Sequence, residues 1–393
     1  MEILLEELFR AVDRIVPTLE VRNHELITIR WHNGVVQAYP LMEPNIVAWE
    51  KTSLPTEDIQ IAICWKLLSG LPRMGKGYIQ EDNSTRTLKL TTSELTKIID
   101  YCDDASEPPE FETTIGTADI IHAENLIDAL KRCMLICKDE AREAISGLCI
   151  SDIHGIPCMV STDGARITVA RLKTLAATST SPETVIPFGM LYQLQSLLET
   201  APDPTQPITL TRTYEHTIIS YDDGNGGARL LCSNKHYAEW KKIMPNPECT
   251  INEIHIQLSE YERLKLEQTL RLFLMFKANS AEQYVRINFS ETMELEVIES
   301  IPCKTGTYHS QSSYIGVGTG NARHNQKEWD EMFPTLDPYT YSNTFKLKLF
   351  HEAICSSPSG DIELHGHSTT GSQSPLYIMQ NHQIQHAIMP CRM

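Results

Sequence analysis

The sequence lacks any apolar run long enough to cross a membrane. Its apolar run at residues 272–276 is far shorter than the roughly 20 residues that a transmembrane helix needs. The chain begins Met-Glu-Ile-Leu-Leu-Glu-Glu, which also lacks the basic region of a signal peptide. We therefore expect a cytoplasmic protein with no membrane partner.

The motifs of common enzyme classes are missing as well. The chain contains no Gly-Lys-Ser/Thr phosphate loop, no Gly-x-Ser-x-Gly nucleophile turn and no His-Glu-x-x-His zinc motif. Its 11 cysteines include no Cys-x-x-Cys pair, and free, mostly buried thiols are usual in a cytoplasmic chain. We therefore expect no cofactor.

Basic charge is scarce, with 34 lysines and arginines against 51 acidic residues and a net charge of −17. A conventional nucleic-acid-binding domain carries a basic face and usually a basic total. The composition argues against such a domain. A protein that closes around DNA is less constrained, because only its inner wall needs to be basic.

The length predicts more than one domain. With 393 residues, 41% of them hydrophobic and 22% charged, the chain is an ordinary globular mixture that is too long for a single core. The order helix, strands, helix, strands recurs three times, which indicates a triplicated α+β architecture. We place the domains at 1–115, 116–247 and 248–393, with a flexible insertion at 301–341 that is rich in Ser, Thr, Gly and Asn.

Periodicity and turn residues predict the elements of each domain. The first domain has a helix at 4–16 that Pro17 ends, strands at 25–31, 35–39 and 46–49 with a turn at His32-Asn33-Gly34, a second helix at 92–101, and a loop at 103–109. The second has helices at 123–137 and 187–200, strands at 208–213 and 217–221, and a Gly-rich loop at 222–227. The third has helices at 259–276 and 344–354 and strands at 284–289, 294–298, 362–364, 376–379 and 386–389.

Residues 143–170 predict an antiparallel meander in the second domain. Two apolar runs flank a turn-rich centre, and a third run follows Thr162-Asp163-Gly164. Asp163-Gly164 supplies the positive φ angle that a tight turn needs, and Arg166 stands just beyond it. By itself, such a turn is ordinary hairpin chemistry.

Four short motifs give this turn its context. They are Thr162-Asp163-Gly164-Ala165-Arg166, Ile186-Pro187, Ile243-Met244-Pro245 and Met389-Pro390-Cys391-Arg392. In this order and spacing, across residues 118–393, they resemble the β sliding clamp of bacterial replicative DNA polymerase, the processivity subunit of polymerase III. Residues 1–115 match that family only in the order of helices and strands.

The resemblance implies an assembly and a set of partners. Sliding clamps are head-to-tail homodimers in which six domains close a ring around double-stranded DNA without reading its sequence, with helices lining the bore and sheets outside. If this chain is similar, its first domain pairs with the third domain of a partner copy, edge to edge. The implied partners are a replicative DNA polymerase, a clamp loader and other proteins that carry the clamp-binding motif, and no catalysis is implied.

The resemblance also implies a groove for linear peptide motifs between the second and third domains. Met389 and Cys391 would form adaptable apolar walls, and Arg166 or Arg392 would fix polar ends of the peptide. The positions that match the groove are Ile145, Thr162, Gly164, Arg166, Ile167, Lys242, Ile243, Ile388, Met389, Pro390, Cys391 and Arg392.

Three residues depart from the family pattern. Ala165 stands where the family usually has His, Ala238 where it often has Pro, and Met393 where it ends in Leu. These differences imply an altered preference among partners rather than loss of the groove.

Basic residues on the predicted helices are the candidates for contact with DNA, since lysine and arginine can reach phosphates without reading bases. Lys138 and Arg142 are favoured, because the matching loop in the family touches DNA. The alternative for each residue is a solvated helix face paired with nearby carboxylates. The candidates are Arg10, Arg14, Lys131, Arg132, Lys138, Arg142, Arg271 and Lys277.

An enzymatic alternative remains open. His365 and His367, with Asp361 and Glu363 nearby, could form a metal site of a hydrolase. A nucleophile pair could instead be formed by Cys133 or Cys149 with a distant histidine. Neither arrangement has a third ligand or partner at a recognisable spacing.

Overall fold

A computed structural model gives the architecture of most of the chain. It describes all residues except 23–25, 42–45, 55–56, 83, 103–116, 138–144, 154, 177–182, 200–202, 204, 214–215, 222–224, 233–235, 243–251, 276–281, 290–292, 304–305, 316–318, 325–340, 358, 368–374, 382 and 392–393. The predicted loops at 103–109 and at 222–224 therefore lie outside the described residues. Within the described part of the chain, no helix is both long and apolar enough to span a membrane.

The chain folds into two compact units. Unit 1 contains Met1–Lys131, Ser146–Met159 and Arg171–His236, and unit 2 contains Arg132–Ile145, Val160–Ala170 and Tyr237–Met393. The three domain boundaries proposed from the sequence stay a prediction.

The secondary structure is a mixture of helices and antiparallel strands. The α-helices are α1 Leu5–Arg22, α2 Ala123–Met134, α3 Leu191–Glu199, α4 Glu260–Met275 and α5 Leu347–Ser356. The strands up to the end of α3 are β1 Glu2–Leu4, β2 Leu26–His32, β3 Val35–Pro40, β4 Ile46–Lys51, β5 Ile59–Cys64, β6 Lys76–Asp82, β7 Thr87–Thr92, β8 Thr96–Asp100, β9 Thr117–His122, β10 Leu148–Ile153, β11 Ile156–Thr162, β12 Arg166–Arg171, β13 Thr174–Ala176 and β14 Thr184–Ile186. The later strands are β15 Pro207–Arg212, β16 His216–Tyr221, β17 Gly226–Leu231, β18 Asn252–Leu258, β19 Glu282–Phe289, β20 Met293–Cys303, β21 Gly306–Ile315, β22 Thr319–His324, β23 Tyr341–Lys346, β24 Ile362–His367, β25 Leu376–Gln380 and β26 Gln383–Ile388.

Helix α1 forms because its apolar residues recur at helical spacing. Leu5, Leu8, Val12 and Ile15 are all buried, and the helix packs against β3 and β4. The prediction that Pro17 ends the helix is wrong, since α1 continues to Arg22. A proline in a helix interior removes one helical hydrogen bond and costs about 3 kcal/mol, and the buried residues of α1 named above lie before Pro17.

The predicted hairpin between β2 and β3 is confirmed. Asn33 and Gly34 have φ angles of 50° and 72°, as a two-residue hairpin turn of this type requires. The turn sets the register, so that His32 pairs with Val35 and Trp31 with Val36.

Unit 1 contains two sheets. The larger has the strand order β13-β9-β15-β16-β17-β4-β3-β2-β5, and the smaller has the order β1-β6-β7-β8. Helix α3 packs against α1 in this unit. A short 3-10 turn at Phe188–Met190 precedes α3, which therefore begins later than the predicted residue 187.

The predicted second helix at residues 92–101 is wrong. These residues form the end of β7, a turn and strand β8, in which Leu90 pairs with Lys97. The Thr92 hydroxyl accepts hydrogen bonds from the backbone N–H groups of Glu94 and Leu95. The threonine therefore stabilises a tight turn between strands instead of capping a helix, a competition that is typical of threonine.

Unit 2 has two sheets that enclose one apolar core. Within this unit the strand orders are β12-β26-β25-β24-β18-β22 and β21-β20-β19-β23. Helices α4 and α5 pack together, and Leu266, Leu270, Phe350 and Ile354 belong to the same buried cluster as residues of both sheets.

Two predictions in this region differ from the structure in part. The segment 301–341 was expected to be a flexible insertion. Its described residues include the end of β20 and the strands β21 and β22, whereas residues 304–305, 316–318 and 325–340 lie outside the described residues. Its hydroxyl-rich sequence is compatible with strands because neighbouring β-strands satisfy the backbone. Residues 344–346 belong to β23, so α5 begins at Leu347 rather than at 344. The other predicted helices and strands are present, with ends that differ by a few residues.

Gly147 allows a close approach of two backbone segments in unit 1. Its φ angle is +94°, and a Cβ atom there would lie 2.4 Å from the carbonyl oxygen of Ile186. We expect Gly147→Ala to lower the free energy of unfolding by about 3 kcal/mol or more, because it adds a backbone clash to the strain of the positive φ angle. Urea denaturation would measure the change.

Gly155 provides a matched control. It also has a positive φ angle, +77°, but a Cβ atom there would have nothing within 4 Å. Gly155→Ala should therefore cost only about 1–2 kcal/mol. Equal losses in the two variants would contradict the clash at Gly147.

Candidate peptide-binding site

The turn at residues 162–166 is fixed by its own side chains. Gly164 has a φ angle of +81°, as the sequence predicts. The Thr162 hydroxyl donates to the carbonyl oxygen of Arg166 at 2.7 Å and accepts from the N–H of Gly164 at 3.1 Å. One carboxylate oxygen of Asp163 accepts from the N–H groups of Ala165 and Arg166, each at 3.0 Å. The turn is thus locked before any ligand binds.

Arg166 holds this turn against helix α5. Its side chain is only 3% exposed and lies 3.1 Å from Asp163 and 2.6 Å from Glu352. A third bond runs from its guanidinium to the carbonyl oxygen of Leu349 at 3.4 Å. The expectation that Arg166 fixes a polar end of a peptide is therefore wrong, because burial and two carboxylates already engage its charge.

The end of strand β26 lies beside the turn. Arg166 pairs with Ile388 in the sheet, and the N–H of Met389 donates to the carbonyl oxygen of Ala165 at 2.8 Å. The N–H of Cys391 donates to the carbonyl oxygen of Thr344 at 2.8 Å. Ile388 is buried, whereas the three residues after it are half-buried. The apolar wall proposed for the groove, which consists of Met389, Pro390 and Cys391, therefore has a fixed backbone.

A tyrosine connects the segment before residue 242 to the same turn. The hydroxyl of Tyr237 accepts a hydrogen bond from the N–H of Thr162 at 3.1 Å. A short 3-10 turn, Trp240–Lys242, follows, in which Trp240 is buried and Lys242 is exposed and paired with Glu239.

The structure thus joins several of the predicted groove residues through direct bonds. Arg166 pairs with Ile388 at the end of β26, and Ile167, which is buried, pairs with Ala387. Thr162 and Gly164 belong to the turn that precedes Arg166 and are bonded to each other. Ile145 is buried ahead of β10. The predicted residues Ile243 and Arg392 lie outside the described residues.

His386 is a contributor that the sequence reasoning missed. It lies opposite Thr168 in the β12–β26 pair, and its Nδ1 atom is 2.9 Å from the Thr168 hydroxyl. Its Nε2 atom is 3.1 Å from the Ser356 hydroxyl at the end of α5. Burial, together with the positive charges of Arg132 and Arg166, lowers the pKa of His386 to about 3. The ring is therefore neutral and joins two strands to a helix.

No local signal identified these missed residues. Tyr237, Glu352 and His386 are separated from the turn by many residues in sequence, and each acts through a contact that only the folded chain creates. The sequence around His386 shows only the alternation of an ordinary strand, with no motif that marks the histidine.

The basic residues proposed for DNA contact differ in their surroundings. Arg10 is 55% exposed and pairs with Glu50 at 3.0 Å. Arg14 is 7% exposed, pairs with the other carboxylate oxygen of Glu50 at 2.7 Å and donates to the carbonyl oxygen of Trp49. The prediction for Arg14 is wrong, because a buried guanidinium that is already paired does not present its charge to a phosphate.

The remaining candidates for DNA contact are either more exposed than Arg14 or lie outside the described residues. Lys131 is 52% exposed and pairs with Glu199 at 3.1 Å. Arg132 donates to Gln385 at 3.0 Å, and Arg271 is exposed on α4. The candidates outside the described residues are Lys138, Arg142 and Lys277.

The histidine and cysteine side chains of the enzymatic alternative that the structure describes are buried, and the side chain of His367 lies outside the described residues. His365 is 7% exposed and its Nε2 atom lies 2.8 Å from Glu363. Within that part no group of three His, Cys, Asp or Glu side chains could hold a metal ion. Burial raises the pKa of the Cys133 thiol to about 12, which keeps it protonated and poorly nucleophilic. Cys149 is buried as well.

Comparison with known proteins adds structural relatives only. No protein-family model matches the chain, and no curated protein matches its sequence. A putative DNA polymerase III beta subunit from Eubacterium rectale ATCC 33656 is 15% identical, with a TM-score of 0.70 over 100% of this chain and 99% of that one. The DNA polymerase III subunit beta from Pseudomonas aeruginosa is 10% identical, with a TM-score of 0.70 over 100% of both chains.

A third relative was solved with a peptide. The Helicobacter pylori beta clamp bound to a DNA ligase peptide is 13% identical, with a TM-score of 0.63 over 100% of both chains. Similarity at this level of identity concerns the fold, and it spans the entire chain. The chain therefore has the fold of the bacterial DNA polymerase III beta subunit, the sliding clamp.

Proposed function

We propose that this protein is a homodimeric DNA sliding clamp of the cytoplasm, which encircles double-stranded DNA and tethers a replicative DNA polymerase to it. The observation that carries the proposal is the similarity of fold, which extends over the full length of both this chain and known clamps. A chain that acts as one segment of a ring needs its whole length for closure.

The sheet edges of the two units support dimerisation. In unit 1, β8 is the outermost strand of its sheet among the described residues, and its Ile98 is 65% exposed. In unit 2, β21 is outermost in its sheet among the strands that the structure describes. Open edges with apolar neighbours are suited to pairing with another chain. Two different edges on one chain give the head-to-tail contacts that a closed ring requires.

The charge distribution is better suited to encircling DNA than to binding it tightly by direct contact. The net charge of −17 would repel DNA from most of the surface, whereas exposed basic side chains such as Arg10, Lys131 and Arg271 offer local phosphate contacts. Contacts of this kind are independent of sequence and weak enough to permit sliding. Lys138, Arg142 and Lys277 belong to the same proposed set.

The groove suits an extended peptide with one or two apolar side chains. Met389 and Cys391 are soft, adaptable walls, and the neighbouring turn is rigid. The beta clamp of Helicobacter pylori was solved with a DNA ligase peptide. We propose that this chain likewise binds motifs of a polymerase, a clamp loader and repair proteins, and that it performs no catalysis and needs no cofactor.

Topological retention on DNA tests the ring. The purified protein should stay on a nicked circular plasmid during gel filtration, after loading by a clamp loader or by reversible opening, and should be released when the plasmid is cut once. Light scattering should give the mass of a dimer. Release from the intact circle, or retention on the linear form, would reject encirclement.

A variant at the β8 edge is the control for that experiment. Ile98→Asp places a charge on the proposed contact and should yield monomers that fold but do not stay on the circle, because burying a carboxylate in the contact costs several kcal/mol. Leu231→Asp, on strand β17 of the other sheet of unit 1, changes an aliphatic residue that is 42% exposed and should leave the dimer intact.

Two substitutions test the groove. Met389→Ala together with Pro390→Ala should abolish detectable binding of a labelled peptide that copies the ligase segment bound by the Helicobacter pylori clamp, a loss of at least about 2 kcal/mol for the removal of a central apolar wall. Fluorescence anisotropy would measure affinity, and light scattering should still show a dimer.

A matched double variant in unit 1 serves as the control. Pro72→Ala with Met74→Ala removes the same two residue types from a half-buried and an exposed position, and it should leave peptide affinity unchanged. If the Met389→Ala, Pro390→Ala protein bound the peptide as tightly as the wild type, the groove would be misplaced.

A further inference from the structure

The imidazole of His386 has a protonation pattern that its neighbours dictate. The Ser356 hydroxyl lies 3.2 Å from the carbonyl oxygen of Ala353, and a hydroxyl that donates to this carbonyl accepts from Nε2 of the ring. In this arrangement the proton of the neutral ring is on Nε2, and the bare Nδ1 atom accepts from the Thr168 hydroxyl. Both ring nitrogens are satisfied, as a buried polar group requires.

These two bonds connect three elements at one point. Thr168 belongs to β12 and His386 to β26, and Ser356 is the last residue of α5. His386 is 2% exposed and Thr168 is 1% exposed, so neither hydrogen bond competes with water. Within unit 2, the junction fixes the end of α5 relative to the strand pair.

The same three elements build the groove. β12 begins with Arg166 and β26 ends with Ile388, immediately before the apolar wall. Helix α5 supplies Glu352 and the carbonyl oxygen of Leu349, which hold Arg166 and through it Asp163 of the turn. A shift of α5 would therefore reach the turn through Arg166 and the wall through β26.

We propose that His386 is a positioning residue for the peptide groove, which it keeps in the binding-competent form by bridging Thr168 and Ser356. It does not touch the peptide. This inference rests on the proposed function of the groove as a peptide-binding site. Without the bridge, the end of α5 and the wall sample several arrangements, and the apparent affinity falls in proportion to the fraction of molecules that are competent to bind.

The test removes each bond singly. Thr168→Val deletes the donor to Nδ1 with little change in shape, and Ser356→Ala deletes the acceptor for Nε2. Each should weaken binding of the labelled ligase peptide by about five- to tenfold, the effect expected for one buried hydrogen bond. Because both bonds hold one ring, the double variant should lose less than the product of the two single effects.

Thr217→Val is the matched control for a purely structural effect. Thr217 is fully buried in unit 1, and its hydroxyl lies 3.1 Å from the sulfur of Cys232. This variant should lower the unfolding temperature to a similar extent but leave peptide affinity unchanged, because all the proteins are folded at the assay temperature. Amide hydrogen exchange should accelerate at Met389 and Cys391 in the Thr168→Val and Ser356→Ala proteins only.

Nuclear magnetic resonance of nitrogen-labelled histidine reports the bridge directly. The ring of His386 should show the neutral Nε2–H form throughout about pH 5 to 8 in the wild type, since its pKa is lowered to about 3. A ring that titrates near its usual pKa of about 6.5 would contradict the bridge.

The outcomes separate this inference from the function on which it rests. If the wild type does not bind the peptide, the proposed groove fails. If the wild type binds and the Thr168→Val and Ser356→Ala proteins bind equally well, the groove stands and the positioning role of His386 is rejected. Equal weakening in the Thr217→Val protein would likewise reject it.

Discussion

The buried guanidinium of Arg166 is the constraint on which the candidate site depends. A charge that is 3% exposed must be neutralised within the protein, and Asp163 and Glu352 do this from the turn and from α5. Removing one partner of such a network typically costs about 3–5 kcal/mol, because the charge is left uncompensated. The turn, strand β12 and α5 are therefore obliged to keep one arrangement.

This constraint produces a site that is rigid in its backbone and soft in its side chains. The turn is locked by Thr162 and Asp163, and the N–H groups of Met389 and Cys391 are both bonded. The surfaces that a peptide would meet are thioether, ring and thiol groups. A fixed frame limits the entropy lost on binding, while polarisable walls accommodate different apolar side chains. A protein that serves several partners through one groove needs both properties.

The sequence predicts well where a local requirement decides the structure. Asn33-Gly34 and Asp163-Gly164 have few alternatives to tight turns, and both turns are present. Prediction from the sequence fails where contacts between residues that are distant in the sequence determine the structure. Pro17 was expected to end α1, but the helix continues to Arg22. Thr92 has the chemistry of a helix cap and stabilises a turn between strands instead.

The site shows the same division. The motifs identify the turn and the end of β26, because their sequences are short and specific. The role of Arg166 could not be predicted, since Glu352 is far away in sequence and only the fold brings it within 2.6 Å. His386 has no signal of its own. Its importance arises from Thr168 and Ser356, hydroxyl residues that are unremarkable until they face one imidazole.

The positions of the basic residues bear on how a protein of this charge could hold DNA. Glu50 accepts from both Arg10 and Arg14, and Glu199 pairs with Lys131, so part of the positive charge on the helices is compensated locally. Direct affinity for phosphates is correspondingly reduced, and salt would weaken it further. A protein that relied on affinity would need these cations uncompensated. A closed ring does not need uncompensated cations, because its topology prevents dissociation. Weak contacts leave the duplex free to slide, and the carboxylates beside the basic side chains then favour sliding over tight binding.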